Sequence, residues 1–201
     1  AYDFAEAAAD VLAVAATLPA PVALVGTSLG GKVALTAAAT NSPLVGRLVM
    51  LGSSALQTER SQRVYRWFEI LATEVDGRWL GELTAPFLFG ETFLNQKPGV
   101  VDDIVRSTRP SPEVLALMQS QAAALRGFAG EGLCAAVRCP ALCLAGAEDL
   151  LTLPSEVLAT AAAIPGAQHQ VFEKAGHSLL LESAAAFDAV VAFLRQTPQG
   201  A

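Results

Sequence analysis

Gly26-Thr27-Ser28-Leu29-Gly30 lies between the apolar run Pro21-Val22-Ala23-Leu24-Val25 and the helix-forming residues 31–40, and it is the stretch from which the fold is read. It is the pattern G-x-S-x-G in the setting of strand, sharp turn and helix. A serine in such a turn takes a strained backbone conformation that projects its hydroxyl from the end of a sheet. Small residues avoid a clash there, which accounts for the glycines two before and two after. The helix that follows points its positive end at the same spot, where negative charge forms during acyl transfer.

A nucleophilic serine needs a base, and the base needs an orienting carboxylate. The chain has 2 histidines. His177 falls in the glycine-containing loop Lys174-Ala175-Gly176-His177-Ser178, between a strand-like segment at 168–172 and an amphipathic helix at 182–195. His169 lies inside the strand-like segment, committed to one face of a sheet, so His177 is read as the base. The alternative for His177 is a loop histidine with no role. The buried-strand pattern of residues 141–145 ends in Gly146-Ala147-Glu148-Asp149, which puts Asp149 in place for the acid and leaves Glu148 as the fallback. The strand expected at 47–51 runs into Gly52-Ser53-Ser54 and offers no carboxylate. Read without a catalytic role, Asp149 is a turn aspartate capping the helix that starts near Pro154.

Residues 22–31 (VALVGTSLGG), 139–149 (CPALCLAGAED), 175–182 (AGHSLLLE) and the final helix 184–194 (AAAFDAVVAFL) together resemble the α/β-hydrolase superfamily, in its branch of small lidded esterases and enol-lactonases. The order Ser28, Asp149, His177 is the order of that family's triad. The resemblance implies Ser28 as nucleophile, Asp149 as orienting acid, His177 as general base, and the Leu29 backbone N–H as one oxyanion donor. It implies no cofactor and no metal. It also implies further strands, and a loop with the second oxyanion donor, ahead of the elbow. Only 25 residues precede Gly26 and the sequence opens at Ala1 rather than Met, so the fold is expected to be N-terminally incomplete. The strand at 22–25 would then form an apolar edge, which invites self-association.

Fold class follows from pattern. Strand, helix and strand alternate along residues 22–51 and resume after 138, which implies a mostly parallel sheet flanked by helices, with residues 1–52 and 138–201 as its core. Residues 2–18 read as an amphipathic helix with Phe4, Ala8, Val11, Leu12 and Ala15 on one side. Residues 53–137 break the alternation. They are helical in tone, punctuated by glycine and proline, and carry most of the aromatics, so they read as a helical cap over the sheet's carboxyl edge. Such aromatics mainly form a cap's own core. Trp79, Phe87 and Phe93 are the candidates for an apolar substrate pocket. Arg106, Arg109 and Arg126 could each meet a substrate carboxylate, against the plainer reading of solvated surface groups.

Composition bounds the rest. At 201 residues the chain fits one domain, and 53% hydrophobic content suits strands buried on both faces. The net charge of −6 comes from scattered acids with no basic stripe, which disfavours nucleic acid. Residues 11–31 lack charge, but Pro19, Pro21 and the elbow glycines divide them into helix end, strand and turn rather than a membrane span. Cys134, Cys139 and Cys143 form no disulfide framework or zinc pattern and suit a reducing cytoplasm. Gly26 to Lys32 lacks the hydroxyl residue of a phosphate-binding loop, since Val33 follows Lys32. The reading is thus a serine hydrolase of a small, partly apolar ester, lactone or thioester. The rivals are an acyltransferase or thioesterase on the same fold, or a non-catalytic binding module.

Overall fold

The computed structural model describes residues 1–196. Four strands, β1 (Val22–Thr27), β2 (Val45–Leu51), β3 (Ala141–Gly146) and β4 (Gln168–Phe172), form one sheet in the order β1-β2-β3-β4, with every neighbouring pair parallel. The register explains why residues 48–51 of β2 and 141–145 of β3 are continuous apolar runs. Leu48 and Met50 of β2, with Cys143 and Ala145 of β3, face α2 (Leu29–Ala39) and α9 (Pro154–Ala163). Val49, Leu51, Leu142 and Leu144 face the opposite layer, where Val190 and Phe193 of α11 (Ala184–Arg195) cover them. Both faces of the central strands are therefore dry, as a parallel sheet with crossover helices requires.

β1 pairs only with β2 among the described residues. Val25 lies on the same face as its partner Val49 and is 44% exposed, so that layer does not extend over β1. α1 (Phe4–Ala15) is capped by the Asp3 carboxylate, which accepts the Ala5 and Glu6 amides, and it packs on α2 with Ala8 and Ala15 fully inside. The helix expected over 182–195 is broken at Ser183. A short turn α10 (Leu179–Glu182) precedes α11, whose first turn Ser183 caps through the Ala186 amide. A hydroxyl cap satisfies a donor that helix geometry leaves orphaned, and so sets the break.

Between β2 and β3 run α3 (Glu59–Glu74), a 3-10 turn at Gly77–Trp79, α4 (Leu80–Leu88), α5 (Glu91–Gln96), α6 (Pro98–Ser107), α7 (Pro112–Arg126) and α8 (Glu131–Ala136). α3 packs along α7, and α4 along α6. Ala85, Phe89, Phe93, Val101 and Val105 make a separate apolar cluster there. At the end of this segment Phe128, Cys134 and Val137 are buried with Leu48 and Met50 of the sheet. Only the part before Phe128 has a cluster of its own.

Where the segment leaves β2, a buried polar network fixes it. The Lys32 ammonium, 3% exposed, donates to the Ser54 carbonyl and lies 4.8 Å from the centroid of the Phe128 ring. Burial lowers its pKa to about 8, opposed by the nearby Glu156 carboxylate. Glu156 accepts from the Thr58 hydroxyl at 2.9 Å, and the Thr160 hydroxyl accepts the Ala55 amide at 2.9 Å.

Candidate active site

Ser28 sits between β1 and α2 with φ 51° and ψ −120°. A non-glycine residue at that φ is strained by about 1–3 kcal/mol, and such strain persists only where its surroundings fix it. Two contacts do so. The Ser28 amide donates to the Leu51 carbonyl at 2.9 Å, and the Gly31 amide returns to the Ser28 carbonyl at 3.0 Å. The glycine requirement differs from the expected one. A Cβ on Gly26 would run into the Gly30 carbonyl, and one on Gly31 would lie 2.5 Å from the Ser53 side chain, whereas Gly30 has open space around it. The tight approaches are thus at Gly26 and Gly31.

This distinction yields a paired prediction. Gly26→Ala should lower stability by about 1–3 kcal/mol through forced backbone displacement. Gly30→Ala, on the open side of a helix, should be neutral or raise stability by up to ~1 kcal/mol. Thermal melts of the two variants measure this, and equal losses would contradict the geometry.

Ser28's partner residue, Leu51, is followed by Gly52, whose φ of 52° ends β2. A Cβ on Gly52 would lie 3.2 Å from both Asp149 Oδ2 and His177 Nδ1, so the bare backbone at the end of β2 lies against that pair. Asp149 leaves the end of β3 and is 1% exposed. Its Oδ1 accepts the Leu151 and Thr152 amides at 2.8 and 2.9 Å, and its Oδ2 meets His177 Nδ1 at 2.9 Å. A carboxylate can only accept, so Nδ1 carries the hydrogen and Nε2 keeps its lone pair in the neutral ring. The loops that carry the two residues are stitched together: Ala147 donates to the Phe172 carbonyl and Glu148 to the Ala175 carbonyl, each at 2.9 Å. The ends of β1, β2, β3 and β4 thereby bring Ser28, Gly52, Asp149 and His177 to one rim of the sheet. Leu29, at the first position of α2, has an amide that the helix itself cannot pair.

The other candidates go elsewhere. Glu148 turns away from the histidine and takes the Thr92 amide at 2.7 Å and its hydroxyl at 2.5 Å. His169 is exposed on the edge strand β4. Phe93 is 9% exposed and stacks on Phe89 with ring centroids 5.6 Å apart. Phe87 packs on Trp67 at 4.6 Å, and Trp79 is 53% exposed beside the Arg78 guanidinium. Arg106 pairs with Asp103, Arg126 with Glu69, and Arg109 donates to the Thr108 carbonyl. The three cysteines are free thiols, and burial raises the pKa of Cys143 to about 12. No helix among the described residues is long and apolar enough to cross a membrane.

Sequence reasoning missed Lys32 as a buried group and Glu182 as a contact of the histidine loop. A signal existed for the first: Lys32 is the lone charged residue between Asp10 and Arg47.

Comparison with known proteins is consistent with this architecture. Residues 1–191 match the model of the alpha/beta hydrolase family. Among solved structures, the enol-lactonase from Burkholderia xenovorans LB400 superposes with a TM-score of 0.84 at 25% identity, over 97% of this chain and 74% of that one. A thermophilic esterase from Thermogutta terrifontis gives 0.79 at 26% identity, over 96% and 72%. MGS-M2, an alpha/beta hydrolase enzyme from a Medee basin deep-sea metagenome library, gives 0.85 at 20% identity, over 96% and 72%. No curated protein matches the chain.

Proposed function

The chain belongs to the alpha/beta hydrolase family, and from that premise we propose that it is a serine hydrolase acting through Ser28, His177 and Asp149. The observation that carries the reading is the buried 2.9 Å contact of His177 with Asp149, set against Gly52, one residue from the carbonyl that holds the Ser28 amide. His177 Nε2 takes the Ser28 proton as the hydroxyl oxygen attacks a substrate carbonyl. The negative charge that develops is met by the Leu29 N–H and by the positive end of α2. Collapse of the tetrahedral intermediate expels the leaving group, which takes the proton from His177. Water, deprotonated by the same imidazole, then releases the acyl group and restores Ser28. Asp149 holds the tautomer and stabilises the imidazolium in both halves.

Likeness to an enol-lactonase and an esterase supports an ester or lactone as the bond cleaved. The helices between β2 and β3 serve in this reading as a lid, since Leu88 and Thr92 meet the loops that carry His177 and Asp149. The three free thiols suit a cytoplasmic location. The test is a fluorophosphonate probe with peptide mass spectrometry. Phosphonylation is expected at Ser28 and at no other serine, and it should disappear when the protein is unfolded beforehand. A folded protein that leaves Ser28 unmodified would reject it as the nucleophile.

A further inference from the structure

We propose that Glu182 is a positioning residue for His177, acting by fastening the histidine loop to the helical segment between β2 and β3; this rests on the reading of His177 as the general base. One carboxylate oxygen, Oε2, accepts two amides, Gly176 and Gly90, each at 2.8 Å. Gly176 immediately precedes His177, and Gly90 lies between α4 and α5. On the other side of the histidine, the Ser178 amide donates to the Leu88 carbonyl at 2.9 Å. Ser178 is thus bonded directly to residue 88, and Gly176 shares its Glu182 oxygen with Gly90. Gly176 and Gly90 approach so closely that a Cβ on Gly176 would run into the Gly90 amide, and a Cβ on Gly90 would lie 2.9 Å from the Gly176 amide.

The same stretch is tied to the Asp149 loop through Glu148 and Thr92. Residues 88–92 therefore bridge the two loops that present the acid and the base. The second oxygen of Glu182, Oε1, is buried with no hydrogen-bond partner among the described residues. If the helical segment moves, Gly90 leaves the carboxylate and Oε2 keeps only its bond to Gly176, so segment position and imidazole position are coupled through one oxygen.

The experiment compares wild type with Glu182→Asp, Glu182→Gln and His177→Ala on 4-nitrophenyl butyrate, with hydrogen exchange read at Gly90 and Gly176. Glu182→Asp keeps the charge but draws the acceptor back by one methylene. It should lower kcat by about 10- to 100-fold, the cost of misplacing a reacting group by about 1 Å, while KM stays within about threefold. Exchange at both glycine amides should accelerate together. Glu182→Gln keeps the reach and should recover most of the lost kcat. A folded Glu182→Asp protein with wild-type kcat, or with a loss entirely in KM, would overturn the proposal. So would unchanged exchange at the two glycines. If His177→Ala instead retains full activity, the reading of His177 is what has failed, and the positioning role falls with it, whatever the glycine amides show.

Discussion

Ser28→Ala is expected to lower kcat on 4-nitrophenyl butyrate by about 10⁴- to 10⁶-fold, with substrate binding and fold preserved. The size follows from what the hydroxyl does. Without it no acyl-enzyme forms, and the remaining acceleration is what the Leu29 amide and the positive end of α2 give to water attack, some 10³–10⁴ over solution. The structural cost is small for a local reason. Ser28 is held at φ 51° by its backbone partners, the Leu51 carbonyl and the Gly31 amide, and its side chain caps nothing. Alanine meets the same backbone strain as serine, so the melting curve should move by no more than a half-buried surface change does, within about 0.5 kcal/mol. Steady-state kinetics beside a thermal melt measure both. Loss of activity with loss of the cooperative transition would locate the defect in folding. Retained turnover in a folded variant would remove the nucleophile from the mechanism.

Much of the fold was legible because its signals are local and redundant. Residues 48–51 of β2 and 141–145 of β3 are unbroken apolar runs because both their faces are buried, and the runs end at Gly52 and Gly146. The elbow was legible because the turn at Ser28 admits few residues. The assignment of the second tight glycine failed at Gly30, where sequence spacing mattered less than the approach of Ser53 to Gly31. That approach arises from a residue 22 positions downstream, and no local pattern encodes it.

The rim of the sheet was legible only in part. Glu148 and Asp149 are adjacent, and nothing in the local sequence says which of them turns inward. Two amides decide it: Leu151 and Thr152 seize Asp149 Oδ1 and aim Oδ2 at His177, while Thr92 draws Glu148 outward. Thr92 belongs to a segment whose return path depends on helix packing, since α4 packs on α6 and Phe89 stacks on Phe93. The same dependence hid Glu182. Its two amide partners are 92 and 6 residues away, and only one of them could be found by reading along the chain.

Asp149→Asn tests the remaining member of the site, and the hydrogen-bond pattern dictates its outcome. Leu151 and Thr152 both donate to the oxygen now at Oδ1, so the asparagine must place its carbonyl there and its NH2 toward His177. That NH2 can only donate, so His177 Nδ1 has to accept, and the ring proton moves to Nε2. An imidazole with its proton on Nε2 cannot take the Ser28 proton. kcat should therefore fall by about 10⁴-fold with little change in KM, although the carboxylate differs from its replacement by a single group. Nitrogen-15 spectra of His177 read the cause directly: the proton resides on Nδ1 in the wild type and on Nε2 in the variant. Glu148→Gln, which alters an acceptor of Thr92, should cost far less activity. If Glu148→Gln proved the more damaging of the two while the His177 tautomer stayed unchanged in Asp149→Asn, the acid would be Glu148, and the arrangement at the end of β3 would have to differ in the working enzyme.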